Sequence, residues 1–139
     1  MSRSNTTLTK MTPYARHVEQ YQRFWHANQH QINRVVAIRR YLDHHFAQDI
    51  DLATLGKAHA ISKYHLWRLF RKHYGQTVQH YLTERRISMA RVHLRRGASV
   101  RDTCFAVGFS SPGSFTHLFK RRVGMTPGQY RKRNFRYVS

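Results

Sequence analysis

The sequence predicts an all-α fold in which two similar helical subdomains are joined by one long helix and preceded by a helical extension. Three observations carry this. Apolar residues recur at i, i+3, i+4 and i+7 in several segments, the stripe a helix turns towards a core. The segment from Thr77 to Arg96 contains neither Gly nor Pro, and as a helix it would form a rod of about 30 Å. Finally, one set of landmarks occurs twice.

Residues 1–13 are polar, rich in Ser, Thr and Asn, and expected to be mobile. Tyr14, Val18, Tyr21 and Trp25 then recur at i, i+4, i+7 and i+11. Their narrow aromatic stripe is expected to dock on the protein's own domain, with a dimer or partner contact as the alternative. Residues 31–47 carry a second amphipathic pattern, with Ile32, Val35, Val36, Ile38, Leu42 and Phe46 apolar. Asp51 is a good N-cap for a short helix, Ala60 and Ile61 make a turn, and Ser62 caps a longer helix ending at Gly75. Along the rod the apolar face shifts from Val78, Tyr81 and Leu82 to Ile87, Ala90 and Leu94, so it has two bodies to hold. Past Gly97 the signals return. Ser99 and Asp102 form a capping-box-like pair, Gly108 turns the chain, Ser111 caps with Pro112 in the first turn, and a helix runs to Gly124. Thr126 and Pro127 start a last short helix.

The repeat sharpens this organisation. Leu52, Leu55, Ala60 and Ile61 correspond to Val100, Thr103, Gly108 and Phe109 at an offset of 48. Leu66, Leu69, Phe70, Gly75, Thr77 and Tyr81 correspond to Phe115, Leu118, Phe119, Gly124, Thr126 and Tyr130 at an offset of 49. Each unit is a short helix, a tight turn and a longer helix, the arrangement of a helix-turn-helix. The boundaries expected are an arm over 1–30, a first subdomain over 31–76, a linker helix over 77–97, a second subdomain over 98–133 and a tail over 134–139.

Charge narrows the partner. The formal net charge is +19, from 25 Lys and Arg against 6 Asp and Glu, so self-repulsion is large unless a polyanion neutralises it. Nucleic acid is the first candidate. The charges are spread along the whole chain, no apolar run approaches the roughly 20 residues that span a bilayer, and residues 1–13 lack the apolar core of a signal peptide. The expectation is a cytoplasmic, nucleoid-associated protein with no membrane partner. Cys104 is the single cysteine, which excludes an intrachain disulfide and a thiolate zinc cluster. His44 and His45 are adjacent and His26 and His30 are four apart, but no further ligand is placed to complete a metal site. No cofactor and no catalysis are expected: six acidic residues offer no defensible carboxylate pair, and Cys104 lacks an activating constellation.

Residues 62–75 carry the functional signal. Leu66, Leu69, Phe70 and His73 fall on one face of the predicted helix, and Tyr64, Trp67, Arg68 and Arg71 on the other. Two large aromatics interleaved with two guanidiniums are poorly suited to a face meant only for water. In a helix-turn-helix the second helix enters the major groove of DNA, about 12 Å wide. Two such helices held by a 30 Å rod would lie close to one DNA turn, about 34 Å, apart, so a monomer could read two successive grooves. Arg68 could contact a guanine edge bidentately, the aromatics could pack on thymine methyls and sugars, and Arg71 could reach phosphate.

Residues 52–133 resemble the DNA-binding domain of the AraC/XylS family of bacterial transcription regulators. The first half carries the resemblance through Ser62, Leu66, Arg68, Phe70, Gly75, Thr77, Tyr81, Leu82, Arg86, Ile87 and Ala90. The second half carries it through Val107, Gly108, Phe109, Phe115, Phe119, Lys120, Arg121, Gly124, Thr126, Pro127, Tyr130 and Arg131. The resemblance implies seven helices in two homeodomain-like, AraC-type helix-turn-helix subdomains that bind asymmetric double-stranded promoter sites and usually activate transcription through RNA polymerase. It implies base contacts from Tyr64, Trp67 and Arg68 in the first recognition helix and from Pro112, Gly113, Ser114 and His117 in the second. Phosphate contacts are expected from Ser62, Lys63, Arg71, Lys72 and Thr77, and from Ser111, Lys120, Arg121 and Thr126.

Departures from the family pattern carry their own expectations. Gly113 and His117 stand where long polar or Arg side chains are common, so the first half should dominate specificity while the second supplies mainly phosphate contacts. Thr103 and Cys104 replace an aliphatic residue and Ala, and Cys104 is expected to be a small buried core residue. His93 takes a usually aliphatic position and is expected to be a satisfied structural His, with a pH-sensitive subdomain geometry as the alternative. With Met1 only 30 residues ahead of the module, the chain resembles the small stand-alone members, expected to act as a monomer on DNA with a dimer through residues 14–30 as the alternative. The remaining alternatives are a non-specific or architectural DNA-binding protein and a DNA-binding fragment of a larger ligand-responsive regulator.

Overall fold

In the computed structural model, which describes residues 12–135, every regular element is an α-helix: α1 Pro13–His45, α2 Leu52–Ala58, α3 Lys63–Tyr74, α4 Val78–Arg95, α5 Val100–Ala106, α6 Pro112–Val123 and α7 Pro127–Asn134. The polar segment before Thr12 and the end of the tail past Phe135 lie outside the described residues. Local chemistry sets each start. Thr12, Asp51, Ser62, Thr77, Ser99, Ser111 and Thr126 are the N-caps, each accepting a backbone N–H three residues on, which satisfies a donor that the helix itself leaves orphaned. The Ser99 hydroxyl takes the Asp102 N–H at 3.1 Å, and the full reciprocal capping box forms at Thr126 with Gln129. Gly75 and Gly124 end α3 and α6 in the left-handed conformation, with φ of 69° and 91°.

The first two expected helices are one. α1 runs 33 residues without a break, straight through the boundary expected at residue 30. The polar stretch from His26 to Gln31 interrupts the apolar pattern but contains no Gly or Pro, so nothing in it breaks backbone hydrogen bonding. The docking expected for its aromatic stripe is also absent among the described residues: Tyr14 is 78% exposed, Tyr21 57% and Trp25 52%.

Two hydrophobic clusters form the cores. One gathers Val35, Ile38 and Leu42 of α1 with Leu55, Leu66, Leu69, Phe70, Val78 and Leu82. The other gathers Ile87, Ala90 and Leu94 of α4 with Cys104, Val107, Phe115, Phe119 and Tyr130. Thus α4 turns one face to each cluster, as its shifting stripe predicts. The repeat is equally visible in side-chain geometry: Phe70 meets Tyr81 edge to face at 5.6 Å, and their counterparts Phe119 and Tyr130 do the same at 5.5 Å.

An arginine pins each entry loop. Arg86 of α4 donates to the carbonyls of Phe46 at 2.6 Å and Gln48 at 3.0 Å, just past the end of α1. Arg131 of α7 donates to those of Ala98 at 2.9 Å and Gly97 at 3.0 Å, between α4 and α5. Phe46 packs against both clusters, and the turn at Gly108 rests on the backbone of Ala47, so residues 46–48 join the subdomains.

Gly108 has a φ of 97°, and a Cβ there would lie 2.7 Å from the Ala47 carbonyl oxygen. Gly124 has a similar φ of 91° but nothing within 4 Å of that position. Gly108→Ala should therefore lower unfolding free energy by roughly 3 kcal/mol or more, from strain plus steric overlap, while Gly124→Ala should cost about 1 kcal/mol. Urea denaturation of the two variants checks this, and equal losses would refute the close approach. Cys104 is fully buried, with its Sγ 3.9 Å from the Phe109 carbonyl oxygen, and burial pushes its thiol pKa up. The protonated, enclosed thiol should resist iodoacetamide in the native protein and react promptly in denaturant, as mass spectrometry would show.

Candidate nucleic-acid interface

The recognition face of α3 follows from where its apolar residues go. Leu66, Leu69 and Phe70 are buried in the first cluster and His73 is half-buried beside them, which leaves Tyr64, Trp67, Arg68 and Arg71 pointing outward. Tyr64 is 73% exposed and Trp67 is 42% exposed. The exposed aromatics are not idle. The Arg68 guanidinium lies over the Tyr64 ring at 5.6 Å and that of Arg71 over the Trp67 ring at 5.4 Å. Both are i, i+4 pairs in which a flat cation covers a ring face, at about 0.5–1 kcal/mol each for exposed sites. The i, i+4 spacing signals this pairing, which assigning the four side chains only to DNA contacts missed. Its effect is to hold two long arginines upright on a rigid helix.

Two clefts flank this face. One, of about 550 Å³, lies at the amino end of α3 and is lined by Leu52, Ser62, Lys63, Tyr64 and Trp67. Its walls are apolar, with one ammonium at the rim, suited to a methyl group or sugar beside a phosphate. The other, of about 470 Å³ and more polar, brings together Arg71, Thr77, Gln76 and His80 between the end of α3 and the start of α4. Gln76 and His80 were not singled out from the sequence, since only the turn at Gly75 carries them to Arg71. Lys72 is exposed on α3. The hydroxyls of Ser62 and Thr77 accept the N–H groups of His65 and His80, both at 3.1 Å. These oxygens remain able to donate their own hydrogens.

The second recognition helix, α6, buries Phe115 and Phe119 and exposes Pro112, Gly113, Ser114 and His117. The Ser111 hydroxyl accepts the Ser114 N–H at 3.2 Å and donates to the Ser114 hydroxyl at 3.1 Å. Lys120 and Arg121 are exposed in its last turn, and Thr126 is half-buried at the start of α7. Arg122 is engaged elsewhere, in an ion pair with Glu84 that ties α6 to the middle of α4.

Neither α3 nor α6 contains an acidic residue. Asp43 receives the Tyr81 hydroxyl and pairs with Arg39 at 3.4 Å and Arg85 at 3.8 Å. Burial, then the bond to Asp43, holds the Tyr81 phenol above its ordinary pKa, so it stays a donor. Glu19 pairs with Arg23, and Asp51 caps α2, where the Thr54 N–H and hydroxyl hold its carboxyl below the usual range. Arg68 and Arg71 of α3 and Lys120 and Arg121 of α6 form no ion pair with an acid among the described residues, while Lys63 lies in the field of Asp51 and Arg122 is paired with Glu84. Among the described residues no group of three His, Cys, Asp or Glu side chains could hold a metal ion, and no helix is long and apolar enough to cross a membrane. His44 and His45 turn instead to the carbonyls of Arg40 and Tyr41, at 2.8 and 2.9 Å.

Comparison with known proteins agrees with this geometry. Residues 55–133, more than half of the chain, match a family model described as a helix-turn-helix domain. HTH-type transcriptional regulators of Staphylococcus aureus are 34% identical over 112 residues, 78% of this chain, which spans only 15% of their length. The regulatory protein SoxS of Escherichia coli is 32% identical over 94 residues, 67% of this chain and 88% of SoxS. Among solved structures, the DNA-binding domain of AdpA, a global transcriptional factor determined in complex with a target DNA, is similar with a TM-score of 0.66 and 25% identity, over 71% of this chain and 90% of that one. With two repeated helix-turn-helix units, exposed basic recognition faces and these relatives, the chain belongs to the AraC-type helix-turn-helix family of DNA-binding transcription regulators.

Proposed function

We propose that the chain is a sequence-specific regulator, acting as an activator that recruits RNA polymerase, and that one copy reads an asymmetric site in double-stranded DNA through α3 and α6. The observation that carries the reading is the outward face of α3, where Arg68 and Arg71 are braced on Tyr64 and Trp67. A braced guanidinium loses less freedom on meeting a guanine edge than a free one, which favours base readout over mere attraction to phosphate. In this reading Tyr64, Trp67 and Arg68 contact bases, with Ser62, Lys63, Arg71, Lys72 and Thr77 on the adjacent phosphates. The face of α6 is shorter. Pro112, Gly113, Ser114 and His117 offer small or uncharged groups, so this half positions the protein through Ser111, Lys120, Arg121 and Thr126 and discriminates less. Two subdomains, residues 31–76 and 98–133, thus divide the work, joined by residues 77–97.

Selection of sheared genomic DNA at about 150 mM salt with excess competitor, followed by sequencing, should recover an asymmetric motif in two parts about one helical turn apart. Arg68→Ala should cost roughly 1–3 kcal/mol on that motif and relax one position, whereas His117→Ala should cost less. Lys120→Ala should weaken all sequences alike and lower the salt slope by about 0.9. Featureless recovery that is equal for the wild type and Arg68→Ala would sink the specific reading in favour of an architectural one.

A further inference from the structure

The amino-terminal part of α1 carries a second pattern that neither subdomain uses. Tyr14, Val18, Tyr21, Trp25, Asn28 and Ile32 follow one another at spacings of four, three, four, three and four, the alternation of a heptad seam, and the seam runs on into the buried Val35. None of residues 13–32 is buried, and Tyr21 and Trp25 already meet edge to face at 6.2 Å. The positions flanking the seam are Ala15, His17, Gln22, Phe24, Gln29 and Gln31. In a chain of net charge +19 not one of them is Lys, Arg, Asp or Glu, while Arg16, Glu19, Arg23 and Arg34 all fall on the remaining positions.

That distribution selects the occupant. A lipid surface favours cations beside the apolar stripe, and an acidic partner would need them there to gain attraction. A second copy of the chain needs no cations there: in a parallel pair each of these positions faces a different flanking position of the partner, and His17, Gln22, Phe24 and Gln29 meet without the repulsion that cations on both would bring. We propose that residues 14–32 form a parallel, in-register two-stranded coiled coil with a second copy of this chain. Tyr14, Tyr21, Phe24 and Trp25 from both copies, at about 150 Å² each, would bury roughly 1,200 Å², the lower bound for a specific interface. Asn28 sets the direction. In the parallel register the two Asn28 amides meet and can pair, whereas an antiparallel pairing sets each against Val18 with no partner. The dimer would carry two DNA-reading modules at the same end, so that one assembly holds two sites. The inference is independent of which DNA sequence either module reads.

Sedimentation equilibrium of the full chain at about 0.3 M salt, where the Debye length is below about 8 Å, limits self-repulsion between the modules. The wild type should be dimeric, and Val18→Glu/Trp25→Glu should raise the dissociation constant at least about a hundredfold. Its thermal midpoint for the two modules should be unchanged, because these side chains belong to neither core. Ile32→Cys, which keeps Asn28, should form a covalent dimer on mild oxidation, since Cys104 is buried and leaves a single reactive thiol. A monomeric wild type, which would leave the seam to another partner or to lipid, overturns the proposal. So does a double variant that still dimerises, or Ile32→Cys that dimerises without cross-linking.

Discussion

The grip of Arg86 on the carbonyls of Phe46 and Gln48 is the contact on which the rest of the architecture depends. The chain leaves α1 there with carbonyls that have no intrahelical donor, beside a core that cannot supply water. A planar guanidinium bonding two of them turns a loose exit into a fixed corner. Burial lowers the pKa of Arg86, the mark of a charge set where solvent is scarce. The corner carries Phe46 into both hydrophobic clusters and presents the Ala47 backbone to Gly108, so it adds a second connection between the subdomains beside α4, whose two faces enter the two clusters.

The same solution recurs in the second unit. Arg131 holds Gly97 and Ala98 as Arg86 holds Phe46 and Gln48, although the two arginines are not equivalent by the repeat offset. Equivalent residues diverge where local packing allows. Ala60, which is exposed, adopts a positive φ of 54° at the turn where its counterpart Gly108 has 97° and meets the Ala47 backbone. Gly56 of α2 lies where a Cβ would come within 2.5 Å of the Ile61 carbonyl oxygen. By the offset of 48 its counterpart is Cys104, where the second unit has room for a small side chain. Cys104 is thus explained by space, without any call on thiol chemistry.

Much of this was legible in the sequence because it rests on local rules. Caps at Asp51, Ser62, Ser99, Ser111 and Thr126, the glycines past α3 and α6, and the shift of apolar face along α4 each depend on neighbours a few residues away. The continuity of α1 was misread because apolar periodicity reports burial, and a helix leaving its domain loses periodic burial without losing helical hydrogen bonds. What the stripe at Tyr14 to Trp25 packs on was equally out of reach, since a seam exposed in one chain reads like one buried in it. Arg86, Asp43 and Gln76 acquire their roles from partners 38 to 40 residues away or from the sense of a turn, which periodicity does not encode.

Charge placement then explains how so basic a chain folds. With 25 cations and 6 acids, a random assignment would leave most carboxylates paired on whichever surface lay nearest. Here Asp43 and Glu84 bind Arg39, Arg85 and Arg122 and stitch α1 to α4 and α6 to α4. Exposed pairs of this kind add little stability individually. Their larger effect is on the field: Asp43 and Glu84 offset arginines that brace the fold, while Arg68, Arg71, Lys120 and Arg121 form no ion pair with an acid among the described residues. The repulsion among those cations opposes folding and is relieved by a polyanion, so DNA binding and module stability are thermodynamically linked.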